Sequence, residues 1–252
     1  MRIANRILNV FRHLKFTFRR LLIPAAEVLL PASVSRPARQ QPALPDLRRL
    51  QPFSRVNGWD RGLPIDRYYI ERFLSSHELD IRGHVLEIED DTYTGKFGGN
   101  RVIESDVLHV TEGNPKATIV ADLTQANDIP SDDFDCIIFT QTLQCIYDFR
   151  AAIQTLHRIL KTGGVLLASF HGISQIARYD MDRWGEYWRF TTLSARLIFE
   201  EVFPPENVKV QACGNVLTAI AFLHGLATEE LKREELDYHD RDYEMLITLR
   251  AV

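Results

Sequence analysis

The chain has 252 residues, enough for one large α/β domain with an appendage, and its composition is that of an ordinary globular protein. Its formal net charge is −4, but residues 1–50 carry ten basic and two acidic side chains, so the rest of the chain has a net charge of −12. An acidic body excludes general nucleic-acid binding, which needs a basic surface. The three cysteines lie far apart without a CxxC pair, so we expect no metal site, no disulfide framework and a reducing, cytoplasmic compartment.

Residues 1–30 predict a basic amphipathic helix. Apolar side chains recur at helical spacing from Ile3 to Leu22, and six basic residues lie mostly beside this stripe. Such a helix can bind an anionic membrane surface, which would place the protein at the inner face of a membrane. A helix packed on the domain, an oligomerisation arm and a transit peptide are the alternatives that the pattern leaves open. Residues 31–52, rich in Pro, Ala, Gln and Arg, predict a linker to a domain at 53–252.

Strand and helix patterns alternate through the rest of the chain. A helix is predicted from Pro64 to about His77, another over Phe149–Lys161, and a third from Thr191 or Thr192 to about Val202. An apolar segment, Val216–Leu226, and a charged segment, Glu229–Leu236, predict a late helical piece. The predicted strands are His84–Ile88, Val107–Val110, Thr118–Ala121, Cys136–Thr140, Val165–Phe170, Val208–Ala212 and Met245–Arg250. This alternation predicts a doubly wound α/β domain around a mostly parallel sheet of seven strands.

Four stretches carry a resemblance to a known family. The first predicted strand, VLEI (85–88), contains Glu87, and residues 121–148 place an Asp in a loop before a further strand. LKTGGVLLAS (160–169) and YWRFTT (187–192) follow. Together they resemble the class I S-adenosylmethionine-dependent methyltransferases, especially the bacterial branch with small-molecule and glycan substrates. The resemblance implies the class I methyltransferase fold and S-adenosylmethionine as the cofactor.

The resemblance also implies roles for individual residues. Glu87 would contact the methionine end of the cofactor, and Glu112 is the nearest candidate to hold the ribose hydroxyls. Asp122 would accept from the adenine amino group, while Leu123 would pack on the adenine ring. These roles suit the chemistry, because carboxylates match a diol or an amine and an apolar shelf receives a base.

The loop after the first strand departs from the family pattern, in which glycines recur as GxGxG. Glu89 and Asp91 replace the first two glycines here, and the remaining ones, Gly95, Gly98 and Gly99, come later. A re-routed loop in which Thr92, Thr94 and Gly95 contact the cofactor is one interpretation. The fold could also be retained without methyl transfer, or the pocket could hold another ligand.

His171 is the predicted catalytic base, because it follows the fifth strand at the edge where open α/β sheets bind ligands. A loop histidine with local hydrogen bonds is the alternative. Aromatic and arginine side chains cluster shortly afterwards and could bind a sugar or a flat anionic acceptor, or could simply cover the sheet edge: Arg183, Trp184, Tyr187, Trp188 and Arg189. Asp180 and Asp182 form an isolated DxD pair, for which a solvated loop is the alternative to a metal role.

The predicted function is methyl transfer from S-adenosylmethionine to oxygen, on a sugar or another small hydroxylated acceptor. Two alternatives stay open, because a fold does not fix the chemistry. The domain could act as a binding or scaffolding partner without transfer activity, or a repurposed pocket could catalyse a reaction other than methylation.

Overall fold

The computed structural model describes residues 48–252. The predicted helix at 1–30 and most of the predicted linker, up to residue 47, lie outside the described residues. Within residues 48–252, none of the helices has the length and apolar character that a membrane-spanning segment requires.

The described chain forms one seven-stranded sheet with helices on both faces. Its strands lie in the order β3-β2-β1-β4-β5-β7-β6, and only β7 runs antiparallel to its neighbours. The strands are β1 (Gly83–Ile88), β2 (Val102–His109), β3 (Ile119–Val120), β4 (Phe134–Thr140), β5 (Leu160–His171), β6 (Lys209–Cys213) and β7 (Leu246–Ala251). The helices are α1 (Ile65–Ser76), α2 (Phe149–Ile159), α3 (Arg178–Met181), α4 (Thr192–Glu200), α5 (Val216–Leu223) and α6 (Arg233–Asp237). The predicted doubly wound, mostly parallel sheet is confirmed.

Side chains alternate along the central strands and build a separate core on each face. In β5, Leu166, Ala168 and Phe170 enter the core beneath α2 and α4, whereas Val165 and Leu167 enter the core beneath α1 and α5. Both helical layers are needed because the central strands are apolar on both faces.

Local signals in the sequence set the helix boundaries. Asp148 caps α2, since its carboxylate accepts from the Ala151 N–H at 3.2 Å, and Thr191 caps α4 through a reciprocal bond pair with Ser194. The predicted extension of α2 to Lys161 was wrong. The chain leaves the helix at Leu160 and begins β5 there, and Gly163 takes a φ of +77° inside the strand.

The connections on either side of β3 contain no α-helix between residues 110 and 133. This leaves the β2–β3 side of the sheet thinly covered, and Ile103 and Val120 are exposed there. β2 begins five residues earlier than predicted, because its first half carries polar and exposed side chains that hide the strand pattern.

Candidate cofactor and acceptor site

The carboxyl ends of β1 and β4 lie side by side at the middle of the sheet. From β1 the chain goes to β2 and β3 on one side, and it then returns to β4 on the other. Such a switch point opens a crevice beyond the strand ends, where doubly wound folds bind their ligands. The candidate site is built from the loops that follow β1 to β5 at this edge.

Glu87 lies buried at the end of β1 and holds the loop that follows. Its Oε1 accepts from the Tyr93 N–H at 3.0 Å, and its Oε2 accepts from the N–H and the hydroxyl of Thr94 at 2.7 and 2.8 Å. Burial raises the pKa of Glu87 to about 7, although these hydrogen bonds act to lower it. The carboxyl group therefore changes charge near neutral pH.

The acidic loop keeps one glycine-like feature. Glu89 has a φ of +74°, the left-handed conformation that glycine adopts without strain, so the backbone there follows a path suited to the glycine that it replaces. Asn114 donates its side-chain N–H to the Glu89 carbonyl at 2.6 Å. Lys116 lies 3.9 and 3.4 Å from the carboxylates of Asp90 and Asp91. The β2–β3 connection therefore anchors this loop and compensates part of its charge.

Thr92 and Gly95 lie on the helical turns that follow this loop. The Thr92 N–H donates to Asp90 Oδ1 at 3.0 Å, and Thr92 is exposed. Gly95 is exposed too, and a Cβ atom added to it would meet nothing within 4 Å. The structure therefore places Glu87, Thr92 and Gly95 along one stretch of chain, from the end of β1 to the first helical turns, with open space beside the glycine.

The other predicted cofactor residues lie further along this edge. Glu112 is exposed in the loop after β2. Asp122 is exposed after β3, where its Oδ1 accepts from the N–H and the hydroxyl of Thr124 at 2.9 and 2.8 Å. A concavity of about 330 Å³ lies beside Asp122 and is lined in part by Gln125. Leu123, by contrast, is buried in the core, so its predicted contact with the adenine ring stays a prediction.

His171, the last residue of β5, is only 5% exposed and lies between two buried carboxylates. Its Nε2 is 4.0 Å from Asp66 Oδ2, and its Nδ1 is 3.8 Å from Glu186 Oε1. Burial acts to lower the pKa of His171, but the facing carboxylates of Asp66 and Glu186 outweigh it and raise the pKa. Arg189 acts in the opposite direction, since it lies 2.8 Å from the same Glu186 oxygen.

The segment at 174–189, here called the cover segment, passes over the strand ends. Tyr187 donates its backbone N–H to the Gln144 carbonyl at 2.7 Å, which fixes the segment to the turn after β4. At the other side of the edge, the Trp184 ring meets His109, the last residue of β2, with a centroid distance of 5.8 Å. The cover segment therefore reaches from β2 to β4 across the crevice.

An aromatic surface lies directly beside the cover segment. The Tyr147 ring is 5.3 Å from that of Tyr187 and 5.9 Å from that of Trp188, and both tyrosines are about half exposed or more. A concavity of about 310 Å³ opens there, lined by Tyr147, Asp148, Phe149, Arg150 and Trp188. Open aromatic faces with polar groups at their rim can stack on a flat ring or on the apolar face of a sugar.

Sequence reasoning missed Glu186 and Gln144, and it gave Asp66 no contact with His171. Glu186 reaches the site because Gly185, with a φ of +89°, turns the chain, and because the Ala177 N–H donates to Glu186 Oε2 at 2.8 Å. Asp66 reaches it from the first turn of α1, a helix that packs against β7, the strand paired with β5. No local spacing in the sequence indicates these two contacts, because Asp66 lies 105 positions before His171 and Glu186 lies 15 positions after it.

Several solved structures are similar to this chain at low sequence identity. A S-adenosylmethionine-dependent methyltransferase from Archaeoglobus fulgidus is 11% identical, with a TM-score of 0.50, over 73% of this chain and 93% of that one. One from Mesorhizobium loti is 14% identical, with a TM-score of 0.46, over 74% and 97%. The [4+2]-cyclase SpnF is 16% identical, with a TM-score of 0.48, over 76% and 83%. No curated protein sequence matches the chain.

The side chains at the edge fit the cofactor that the fold implies. Glu87 offers a carboxylate at the end of β1, and its Oε1 takes a single hydrogen bond from the protein, so a lone pair can accept from an ammonium group. Gly95 leaves space beside the same loop, and Asp122 borders a concavity on the β3 side.

A family model described as a methyltransferase domain matches residues 52–212, most of the described chain. The match spans α1, strands β1 to β5 and the cover segment, which are the parts that build the candidate site. The chain therefore belongs to the methyltransferase-domain family, and its cofactor is S-adenosylmethionine.

Proposed function

We propose that this methyltransferase transfers the methyl group to oxygen, on a sugar or another small hydroxylated acceptor. The observation that carries the proposal is the position of His171. A buried histidine ends β5 at the ligand-binding edge, and its neighbour Glu186 precedes the exposed aromatic face of Tyr187. A proton acceptor therefore lies next to a surface suited to a sugar ring.

On the cofactor side, S-adenosylmethionine supplies a methyl group attached to positively charged sulfur. We assign its methionine end to the loop held by Glu87, with Thr92 and Gly95 alongside. Glu112 is the proposed partner of the ribose hydroxyls, and Asp122 with Leu123 is the proposed adenine end. Because the methyl donor is already activated, the main task of the protein is to align the acceptor oxygen with the methyl carbon.

On the acceptor side, a hydroxyl oxygen becomes a better nucleophile when its proton is taken as it attacks. His171 is the proposed base, and the raised pKa has a direct consequence for the rate. The ring is protonated at and below the ordinary histidine range, so methyl transfer should increase as pH rises through the raised pKa.

Calorimetric titration with S-adenosylhomocysteine tests the cofactor part of the proposal. We expect a dissociation constant in the micromolar range, equivalent to about −8 kcal/mol. Asp122→Ala should weaken binding by about 1.5–3 kcal/mol if its carboxylate binds the adenine amino group. Asp240→Ala is the matched control, since Asp240 Oδ1 likewise accepts from the N–H two residues later, in the turn before β7. No binding by the wild-type protein at millimolar ligand would rule out the proposal.

Transfer of a labelled methyl group tests the acceptor part. Sugars with free hydroxyls should be labelled, whereas the same sugars with every hydroxyl blocked should not. Labelling of amines or carbon acceptors in preference to hydroxyls would replace this acceptor class with another. Binding of S-adenosylhomocysteine without transfer to any acceptor would favour a domain that binds the cofactor without transferring its methyl group.

A further inference from the structure

Asp66 and Glu186 face His171 from opposite sides, and they come from distant parts of the chain. Asp66 lies in the first turn of α1, and Glu186 lies in the cover segment. Both are less than a tenth exposed. The separations of 4.0 and 3.8 Å are longer than an ordinary hydrogen bond, so neither carboxylate is hydrogen-bonded to the ring.

The two carboxylates differ in how much of their charge is already compensated. Glu186 Oε1, the oxygen that faces His171, also lies 2.8 Å from Arg189 Nη2, and its Oε2 accepts from the Ala177 N–H at 2.8 Å. Asp66 uses its Oδ1 to accept from the Arg67 N–H at 2.9 Å, and its Oδ2 is the atom nearest His171. The Glu186 oxygen that faces the ring is therefore ion-paired with a guanidinium group. Arg67 also favours the charged form of Asp66, but it acts from further away, and no arginine of the described chain forms an ion pair with the Asp66 oxygen that faces the ring.

This asymmetry decides which nitrogen of a neutral ring carries the proton. A neutral imidazole has one N–H and one lone pair, and the N–H is most stable toward the acceptor with the least compensated charge. A lone pair facing a carboxylate is least costly where a cation already lies beside that carboxylate. Both conditions favour a proton on Nε2, toward Asp66, and a lone pair on Nδ1, toward Glu186 and the cover segment.

We propose that Asp66 is a positioning residue, which fixes His171 with its proton on Nε2 and leaves Nδ1 as the atom that accepts the proton of the acceptor. The proposal rests on the proposed function and names the geometry of its acid–base step. The acceptor O–H bond breaks as its proton passes to Nδ1, and the oxygen forms a bond to the methyl carbon. The carbon–sulfur bond breaks, and its electron pair stays on sulfur, which becomes neutral.

The acceptor would then enter from the side of the cover segment. Tyr187, next to Glu186 in the chain, presents its ring to the aromatic surface that also includes Tyr147. Nδ1 is enclosed and faces Glu186, so a sugar hydroxyl would reach it only when this part of the cover segment moves aside. α1 therefore does more than pack against the sheet, because it supplies the carboxylate that orients the base.

The charged groups that surround His171 define the controls. On α1 these are Asp66 and Arg67, and on the cover segment they are Asp180, Glu186 and Arg189. From α5 the ring meets Phe222, at 6.2 Å between ring centroids, which carries no charge. Burial acts to raise the pKa of Asp66, but Arg67 and His171 outweigh it and lower the pKa, so the carboxylate stays ionised through the neutral range.

Nitrogen-15 NMR of histidine-labelled full-length protein tests the proposal without cofactor or acceptor. Above the pKa of His171, we expect the chemical shifts of a ring protonated on Nε2. Asp66→Asn should lower the pKa of His171 and mix the two tautomers, whereas Glu186→Gln should change the pKa less. Asp80→Asn is the matched control, because Asp80 is ion-paired with Arg250 at 2.8 Å elsewhere and should leave His171 unchanged. A neutral wild-type ring protonated on Nδ1 would overturn the proposal even if no variant folds.

Kinetic measurements then distinguish a role of Asp66 in orienting His171 from a purely structural role. Asp66→Asn should lower kcat about tenfold, shift the rising limb of the pH–rate profile to lower pH, and leave the acceptor KM within about twofold. Asp66→Glu should recover part of the rate. A loss of rate without movement of the pH profile would show a merely structural role. If S-adenosylhomocysteine does not bind, the proposed function is wrong. The NMR experiment still decides separately whether Asp66 fixes the proton of His171 on Nε2.

Discussion

Glu87 accepts two hydrogen bonds from a single residue, Thr94, whose backbone N–H and hydroxyl both bind Oε2. The end of β1 and the loop seven positions later are thus joined through one buried carboxyl oxygen. These hydrogen bonds fix both ends of the acidic loop, although the loop lacks the first two glycines of the family pattern.

We expect Glu87→Gln to destabilise the folded chain by about 1–3 kcal/mol. The amide keeps one acceptor oxygen and puts an N–H donor where the other oxygen accepted from backbone donors, so a buried N–H loses its partner. Thr94→Val is the matched control, because it removes the hydroxyl bond alone and should cost about 0.5–1.5 kcal/mol. Urea unfolding measures both free energies. Equal stability of Glu87→Gln and the wild type would show that the loop is held by other contacts.

Cofactor binding should release protons near pH 7. The pKa of Glu87 is about 7, so in the free protein the carboxyl group is partly protonated there. An ammonium group placed beside it favours the charged form and lowers this pKa, which expels the proton. Calorimetric titration with S-adenosylhomocysteine in two buffers of different ionisation enthalpy should show different binding heats at pH 7, and the difference should be smaller near pH 8, where most of Glu87 is already ionised. Equal heats at pH 7 would place the ammonium group away from Glu87.

Replacing Glu89 with glycine should stabilise the chain. The φ of +74° carries a steric cost of about 1–2 kcal/mol for a residue with a Cβ atom, and glycine removes most of it at some entropic cost. We expect a net gain of about 1 kcal/mol in thermal or urea unfolding. Glu112→Gly is the control, because Glu112 is also exposed but has no positive φ. A loss of stability in Glu89→Gly would mean that the side chain contributes more than the strain costs.

Membrane binding by residues 1–30 stays a prediction, and it depends on the sequence pattern alone. The full-length protein should sediment with anionic vesicles at low salt and be released as salt screens its basic residues. Deletion of residues 1–30 should abolish sedimentation and leave binding of S-adenosylhomocysteine unchanged. Full-length protein that stays in the supernatant at low salt would favour the packing or oligomerisation alternatives.

The sequence predicted the fold well where burial is continuous. β1, β4 and β7 are apolar runs enclosed on both faces, and α2 has a complete apolar stripe with an Asp cap, so their patterns are strong. The start of β2 was hidden, because Glu104 and Ser105 lie on a thinly covered side of the sheet where polar residues are tolerated. The end of α2 was misjudged because Gly163 is compatible with a helix end as well as with the distorted start of β5.

The candidate site was less predictable than the fold. Motif position indicated Glu87 and His171, since both end a strand at the ligand-binding edge. The neighbours of His171 depend on how α1 and the cover segment pack, which is tertiary information that no local spacing encodes. The acidic loop shows the same limit. Its charges look incompatible with a cofactor loop until Lys116 and Asn114, from the next connection, are seen to hold it.

The position of β7 in the sheet constrains how the chain folds during its synthesis. β7 is synthesised after the other six strands, yet it lies between β5 and β6, which otherwise have no contact as strands. Until Leu246–Ala251 has left the ribosome, β6 has no strand to pair with, and the edge of β5 is an open row of backbone hydrogen-bonding groups. Such edges invite strand addition by other chains. A nascent chain stalled before residue 246 should therefore be prone to aggregate, and its release should be followed by rapid closure of the sheet.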